Sequence, residues 1–269
     1  MSNMPTPSTT TGKGQSDQTI KLDLRMISVI SLIVFFALWE TAIRIDLVEP
    51  LFLPAPSAIV KRAAIMLEKG DFWVHILASS RRVLIGFFTA AAIAVPLGVL
   101  LGASRFCKAI ADPLLSFLRP LPSMAWIPLS LLWLGITETQ KYSIVFMGSF
   151  APSVLYTIEA TRNIDPILIR AAKNLGASKF QVMKDVILPG ALPSIISGLK
   201  VMLGIAWTCV ISAELVAASE GLGFLIMNGK EMFQTDKVLL GMALISMTVM
   251  AIDIVFSRLE RIILPWREG

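Results

Sequence analysis

RAAKNLGASKFQVMKDVILP, residues 170–189, is a polar, basic, helix-forming stretch set between long apolar segments. Ala171, Ala172, Lys173 and Leu175 favour a helix. Gly176 then supplies backbone angles closed to other residues, which ends that helix in a sharp turn. A second helix is predicted from Ser178 to Val186, with Pro189 and Pro193 marking its junction with the apolar segment beyond. A chain that crosses a bilayer rarely keeps so much charge beside its spans unless a partner in the aqueous phase grips it. The small side chains of Ala171 and Ala172 would let such a partner approach closely.

Working outward, the composition points to lipid. The chain has 269 residues, of which 55% are hydrophobic and 16% charged, and its mean hydropathy is +0.73. Soluble domains hold about 45–50% apolar and about 25% charged residues. Spans need about 20 mainly apolar residues, and six windows come close: 26–44, 83–102, 113–135, 142–162, 192–213 and 238–257. Pro113, Pro120, Pro122 and Pro128 interrupt the third, so kinks or local unwinding are predicted there, facing protein or a water-filled path. The expected fold is all-α.

Residues 1–25 are rich in Ser, Thr, Gly and Gln and read as a disordered cytoplasmic tail. No small-residue cleavage site follows the apolar stretch that begins at Met26, so that stretch reads as an uncleaved first span. Residues 26–269 then form one transmembrane domain. Residues 57–69 place Ile59, Ala63, Ile65 and Met66 near one helical face and suggest a short amphipathic helix in the interface. The segment 218–236 reads as a loop with a short helix.

The net charge of +5 fits lysines and arginines facing the cytoplasmic leaflet better than nucleic-acid binding. Counting Lys and Arg favours both termini inside by a modest margin, because the segment 45–82 on the other side is itself charged. Cys107 and Cys209 lie in unlike surroundings, which makes a disulfide between them improbable. With a single histidine, His75, the sequence offers no metal-ligand spacing. It also has no G-x-x-x-x-G-K-[ST] segment to cradle ATP phosphates, no H-E-x-x-H and no G-x-S-x-G elbow. A secondary transporter is the more distant alternative, but no internal repeat of the kind such proteins carry is evident.

The spacing of Ala171, Ala172, Gly176, Leu188 and Pro189 resembles the "EAA" loop of ABC-importer permeases: Glu-Ala-Ala, three residues, Gly, nine residues, Ile-x-Leu-Pro. Arg170 stands where the family has Glu, and Val186 where it has Ile. The likeness runs from about Leu51 to Trp266. It is carried by PLFLPAPS (50–57), RPLPSMAWIPLSLLWLGITET (119–139), ILPGALPSIISGLKVMLGIAW (187–207) and AELVAASEGLGFLIMNGKEMFQTD (213–236). These look like the nitrate/sulfonate/taurine branch, nearest to taurine and alkanesulfonate permeases. Other members of that branch move nitrate, bicarbonate or thiamine precursors.

The resemblance implies a type I importer permease fold of about six transmembrane helices in a bacterial inner membrane, with both termini and the loop 163–190 in the cytoplasm. It further implies a transport subunit that is not itself an enzyme and that binds no cofactor. Its expected partners are a second copy of the chain, two ATP-binding cassette subunits carrying ATP and magnesium, and a periplasmic solute-binding protein. Membrane lipid surrounds it, and nucleic acid is not expected. Arg170, Ala171, Ala172, Lys173, Leu175, Gly176, Leu188 and Pro189 are the residues expected to couple to the ATPase. The family's acidic pairing cannot be carried over to Arg170, which would face an acidic partner instead.

Arg119, Lys200 and Glu214 fall within or at the edges of apolar windows. Ionisable groups there suggest a solute path or a buried pair. With Trp126 and Trp207 they are the candidate translocation pathway, where two cations would suit an anion.

Overall fold

The computed structural model describes residues 13–264, all helix, turn or irregular, with no strand among them. The expected tail lies in part outside the described residues, at 1–12. The first helix, α1 (Lys13–Arg44), begins before residue 26. Among the described residues, five helices are long and apolar enough to span a bilayer. The chain divides into two compact units, Met1–Lys61 and Arg62–Gly269.

In the first unit the apolar part of α1, Met26–Arg44, ends at Glu40 and Arg44. The Glu40 carboxylate accepts the Ser57 N–H at 3.1 Å, the Ser57 hydroxyl at 2.8 Å and Arg44 Nε at 2.8 Å. It thereby caps the start of α2 (Pro56–Lys69), where Pro56 supplies the preset φ of a first helical position. This is the amphipathic helix predicted over 57–69.

The second unit is built on α3 (Asp71–Ala103) and α6 (Glu138–Arg162). Gly86, Ala90, Ala94, Gly98 and Gly102 recur every four residues on α3. Val145, Ser149, Ser153, Thr157 and Thr161 do the same on α6. A Cβ added at Gly86 would lie 2.5 Å from Val145 Cβ, one at Gly98 2.5 Å from Thr157 Cβ, and one at Gly102 2.7 Å from Thr161 Cβ. The Thr157 and Thr161 hydroxyls turn back to the carbonyls of Ser153 and Thr157, each at 2.8 Å. Their methyl-bearing carbons are left to fill the glycine gaps. Small residues at four-residue spacing are what brings two membrane helices close where apolar burial provides no drive. Because low numbers meet low and high meet high, α3 and α6 run parallel and need a crossover.

That crossover corrects the expected third span. It consists of α4 (Arg105–Leu118), a 3₁₀ turn over Ser123–Trp126 and α5 (Ile127–Leu134). No continuous helix covers 113–135. Pro120 and Pro122 remove two N–H donors in three residues, so the kink becomes a full break, whereas Pro128 sits in the first turn of α5, where it is tolerated.

After α6 come α7 (Pro166–Asn174) and a helix we number α8 (Lys179–Ala217). The expected junction falls at Pro189 as a change of helical type rather than a break, and Pro193 lies inside the helix. A π-helical turn over Val182–Ile187 carries the chain into the α-helical stretch Leu188–Ala217, with Pro189 in its first turn. A mid-helix π turn often accompanies a functional site. α8 runs antiparallel to α6: Gly190 lies against Ile164, Gly198 against Tyr156 and Gly148 against Cys209. The short helix α9 (Leu222–Glu231) and the long α10 (Thr235–Ile263) complete the unit. Among the helix pairs of this unit, α3–α6 and α6–α8 pack most extensively, and α9 bridges α8 and α10.

The candidate coupling hairpin and charged end of the bundle

The hairpin 163–190 is built from local signals. Asp165 accepts the Ile167 N–H at 2.8 Å and Pro166 opens α7, a side-chain cap followed by a preset φ. At the other end Gly176 has φ +84°. Its N–H donates to the Lys173 carbonyl at 3.0 Å, and the Ala177 N–H reaches the Ala172 carbonyl at 3.1 Å. This pair of bonds is a Schellman cap. Two residues on, the Ser178 hydroxyl accepts the Gln181 N–H at 3.3 Å, and Gln181 Oε1 accepts the Ser178 N–H at 2.8 Å. That capping box starts α8.

The turn is therefore rigid, yet its side chains face outward. Leu175 is 89% exposed and Phe180 74%, with Ile167 and Leu168 also exposed. Arg170, Ala171, Lys173, Gly176, Leu188 and Pro189 are exposed, and Ala172 is half-buried. α7 packs only its inner side on the π turn of α8. Leu175 and Phe180 thus stand outward on the capped turn, with Arg170, Lys173 and Lys179 exposed beside them; exposed apolar groups of this kind suit contact with a partner.

The five candidate pathway residues separate. Arg119 and Trp126 line one cavity of about 230 Å³ with Ser123, Gly148 and Pro152. Trp207 is buried in α8. Lys200 Nζ donates to the Ser257 hydroxyl at 2.7 Å and lies 3.4 Å from Asp253 Oδ1 on α10. Its charge is thus answered by a neighbouring helix, apart from the Arg119 cavity.

Glu214 belongs to a buried cluster at the opposite end of the bundle from the hairpin. Arg82, 1% exposed, spreads its guanidinium over three carriers of negative charge. Nε and Nη2 donate to the two Glu138 oxygens, both at 2.7 Å. Nη1 donates to Glu214 Oε1 at 2.8 Å and to the Glu220 carbonyl at 2.7 Å, and Glu220 Oε1 lies 3.5 Å from Nη2. Lys141 adds a second cation, 2.8 Å from Glu138 Oε1.

The same cluster seats the Gly-Leu-Gly turn. The N–H groups of Gly221, Leu222 and Gly223 donate in order to His75 Nδ1 at 3.1 Å, Ser79 Oγ at 2.8 Å and Glu214 Oε2 at 2.9 Å. These are orphan donors at the start of α9. Gly221 has φ +119°, and a Cβ there would fall on the Glu214 carboxylate. Sequence reading placed Arg82 among outer charges and missed this role. The signal was present: His75, Ser79 and Arg82 recur at i, i+4 and i+7 on one helix face, and Glu214 stands a few residues before Gly221-Leu222-Gly223.

A bundle of long apolar helices, with one rigid outward hairpin and buried charges locking the far end, is the membrane-spanning part of a transporter. The chain matches the model of the binding-protein-dependent transport system inner membrane component family over residues 94–268. It belongs to that family. It is 36% identical to the taurine transport system permease protein TauC of Escherichia coli K12, with 89% of each chain covered. It is also 36% identical to a protein named for aliphatic sulfonates transport, SsuC of the same organism, over 86% of this chain and 88% of the relative. The fold matches a chain of the MetNI methionine ABC transporter in an inward-facing crystal form. That match has a TM-score of 0.63 at 20% identity and covers 70% of this chain and 95% of the other.

Proposed function

We propose that this ABC importer permease passes taurine or another alkanesulfonate across the membrane, received from a periplasmic solute-binding protein and driven by two ATP-binding cassette subunits. The carrying observation is the outward hairpin, whose capped turn at Gly176 presents Leu175 and Phe180 to solvent. In this reading ATP and magnesium act on the cassette subunits, and the hairpin transmits their motion through the π turn into α8. The hairpin and both termini lie in the cytoplasm, and a second copy of the chain completes the path. Sulfonate cargo is supported by the two relatives named for taurine and aliphatic sulfonates and by the basic groups around the Arg119 cavities.

The test is reconstitution of the chain with its cassette subunit in vesicles. ATP hydrolysis is expected to rise on adding taurine-loaded binding protein, with labelled taurine accumulating inside. Crosslinks from cysteines placed at Ala171 or Leu175 should reach the cassette subunit. Labelling of these positions from the periplasmic side would overturn the assignment.

A further inference from the structure

Three side chains hold the Gly-Leu-Gly turn at the start of α9: His75, Ser79 and Glu214. Of these, histidine is the residue type whose ordinary pKa, about 6.5, lies near neutrality. Its Nδ1 accepts the Gly221 N–H at 3.1 Å. A ring nitrogen accepts only without a proton, so the imidazole is neutral here and carries its hydrogen on Nε2. The side chain is half-buried, with the Phe224 ring of α9 beside it at 6.0 Å.

Protonation reverses this contact. An imidazolium sets a second donor against the Gly221 N–H and puts a positive charge at the N-terminal end of α9, where the helix dipole opposes it. Carboxylates stand ready for the charged form. Asp71 lies four residues back on α3, and Glu220 directly precedes Gly221. Both act on the ring, as does the opposing ammonium of Lys237 on α10. Arg82, two turns further along α3, keeps to Glu138, Glu214 and Glu220. We infer that His75 is a proton-operated latch on α9: neutral, it holds the Gly221 end of the turn, and charged, it releases that end for Asp71 and Glu220. Ser79 and Glu214 keep Leu222 and Gly223, so release frays the start of α9 without unfolding it. The latch rests on the reading above for one point, that this end of the bundle receives the loaded binding protein.

The test compares wild type with His75→Asn, whose amide oxygen accepts an N–H at every pH, each as the permease–cassette complex in nanodiscs. His75→Gln offers the same acceptor on a longer arm and guards against a misfit of Asn. Hydrogen exchange of the amides at 221–225, corrected for the intrinsic rate, is read at about pH 7.5 and about pH 5.5, on either side of the imidazole range. Wild type should lose about fivefold of its protection at the lower pH, the worth of one neutral hydrogen bond. The amide variants should lose none. ATP hydrolysis stimulated by taurine-loaded binding protein should fall more in wild type than in the variants over the same interval. Equal losses in all three proteins would assign the acid effect to Glu214 or to the binding protein and overturn the latch, as would unchanged protection in wild type. If loaded binding protein fails to stimulate wild type at the higher pH, the importer reading falls, and the exchange contrast still decides the latch.

Discussion

Arg82 and Glu214 meet at 2.8 Å with both side chains excluded from solvent, one on α3 and the other on α8. Burying two charges costs several kcal/mol each, and the attraction offsets this only where every remaining donor and acceptor is also engaged. Here they are. The guanidinium makes five contacts spread over Glu138, Glu214 and Glu220, and Glu214 additionally holds Ser79 and the Gly223 N–H. The cluster ties α3, α6, α8 and the start of α9 into one end of the bundle.

Removing one partner should therefore be far worse than removing two. Arg82→Met is expected to lower stability by about 3–5 kcal/mol, because it strands the fully buried Glu214 carboxylate. Arg82→Met combined with Glu214→Gln should recover part of that loss. Thermal unfolding of the detergent-solubilised protein measures both. Additive losses in the double variant would show that the two groups are not coupled.

The close approach of α3 and α6 gives a second expectation. A methyl group at Gly98 would meet Thr157 Cβ at 2.5 Å and the Val154 carbonyl at 2.9 Å. Neither can move cheaply, so Gly98→Ala should cost about 1–3 kcal/mol as an overpacked contact. Gly204→Ala is the control, since nothing lies within 4 Å of a Cβ there. That change should be neutral or slightly stabilising. Comparing the unfolding midpoints of the two variants checks the packing argument.

These cases show what the sequence could and could not convey. The hairpin was legible because its signals are local: the helix-forming run to Leu175, the turn at Gly176 and the second helix from Ser178 each act within a few residues. The helix content followed from the apolar windows for the same reason. The third window failed because hydropathy records that a segment is apolar and not that its helix breaks. Pro120 and Pro122 predicted a bend, but how far the chain unwinds depends on what receives it. The Arg82 cluster was hidden because its partners stand more than fifty residues away, on helices whose facing sides only the packing reveals. Lys200 carried the same ambiguity: a cation in an apolar helix looks alike whether it faces a solute or Asp253.

That last point is testable. Lys200 donates to Ser257 and sits near Asp253, contacts that join α8 to α10. Lys200→Gln should leave the KM for taurine uptake unchanged at equal expression, with a stability loss of about 1 kcal/mol for a partly exposed pair. Asp253→Asn should show the same modest loss. A large rise in KM for Lys200→Gln alone would instead put the ammonium on the solute path.

The hairpin offers the sharpest separation of coupling from stability. A side chain at Gly176 would meet nothing within 4 Å, so its positive φ of +84° is the one obstacle to substitution. Left-handed backbone costs an ordinary L-residue about 1–2 kcal/mol and Asn less. A β-branched residue is a poor fit there. Gly176→Val should distort the Schellman turn, displace Leu175 and leave the distant Arg82 cluster untouched. The protein is then expected to reach the membrane in normal amounts and to unfold near the wild-type temperature. Taurine uptake per ATP hydrolysed should fall at least severalfold. Gly176→Asn should retain most of the uptake, because Asn tolerates that conformation. The measurement is paired uptake and hydrolysis in vesicles with loaded binding protein, and equal coupling ratios for the glycine, asparagine and valine proteins would remove the turn from the transmission path.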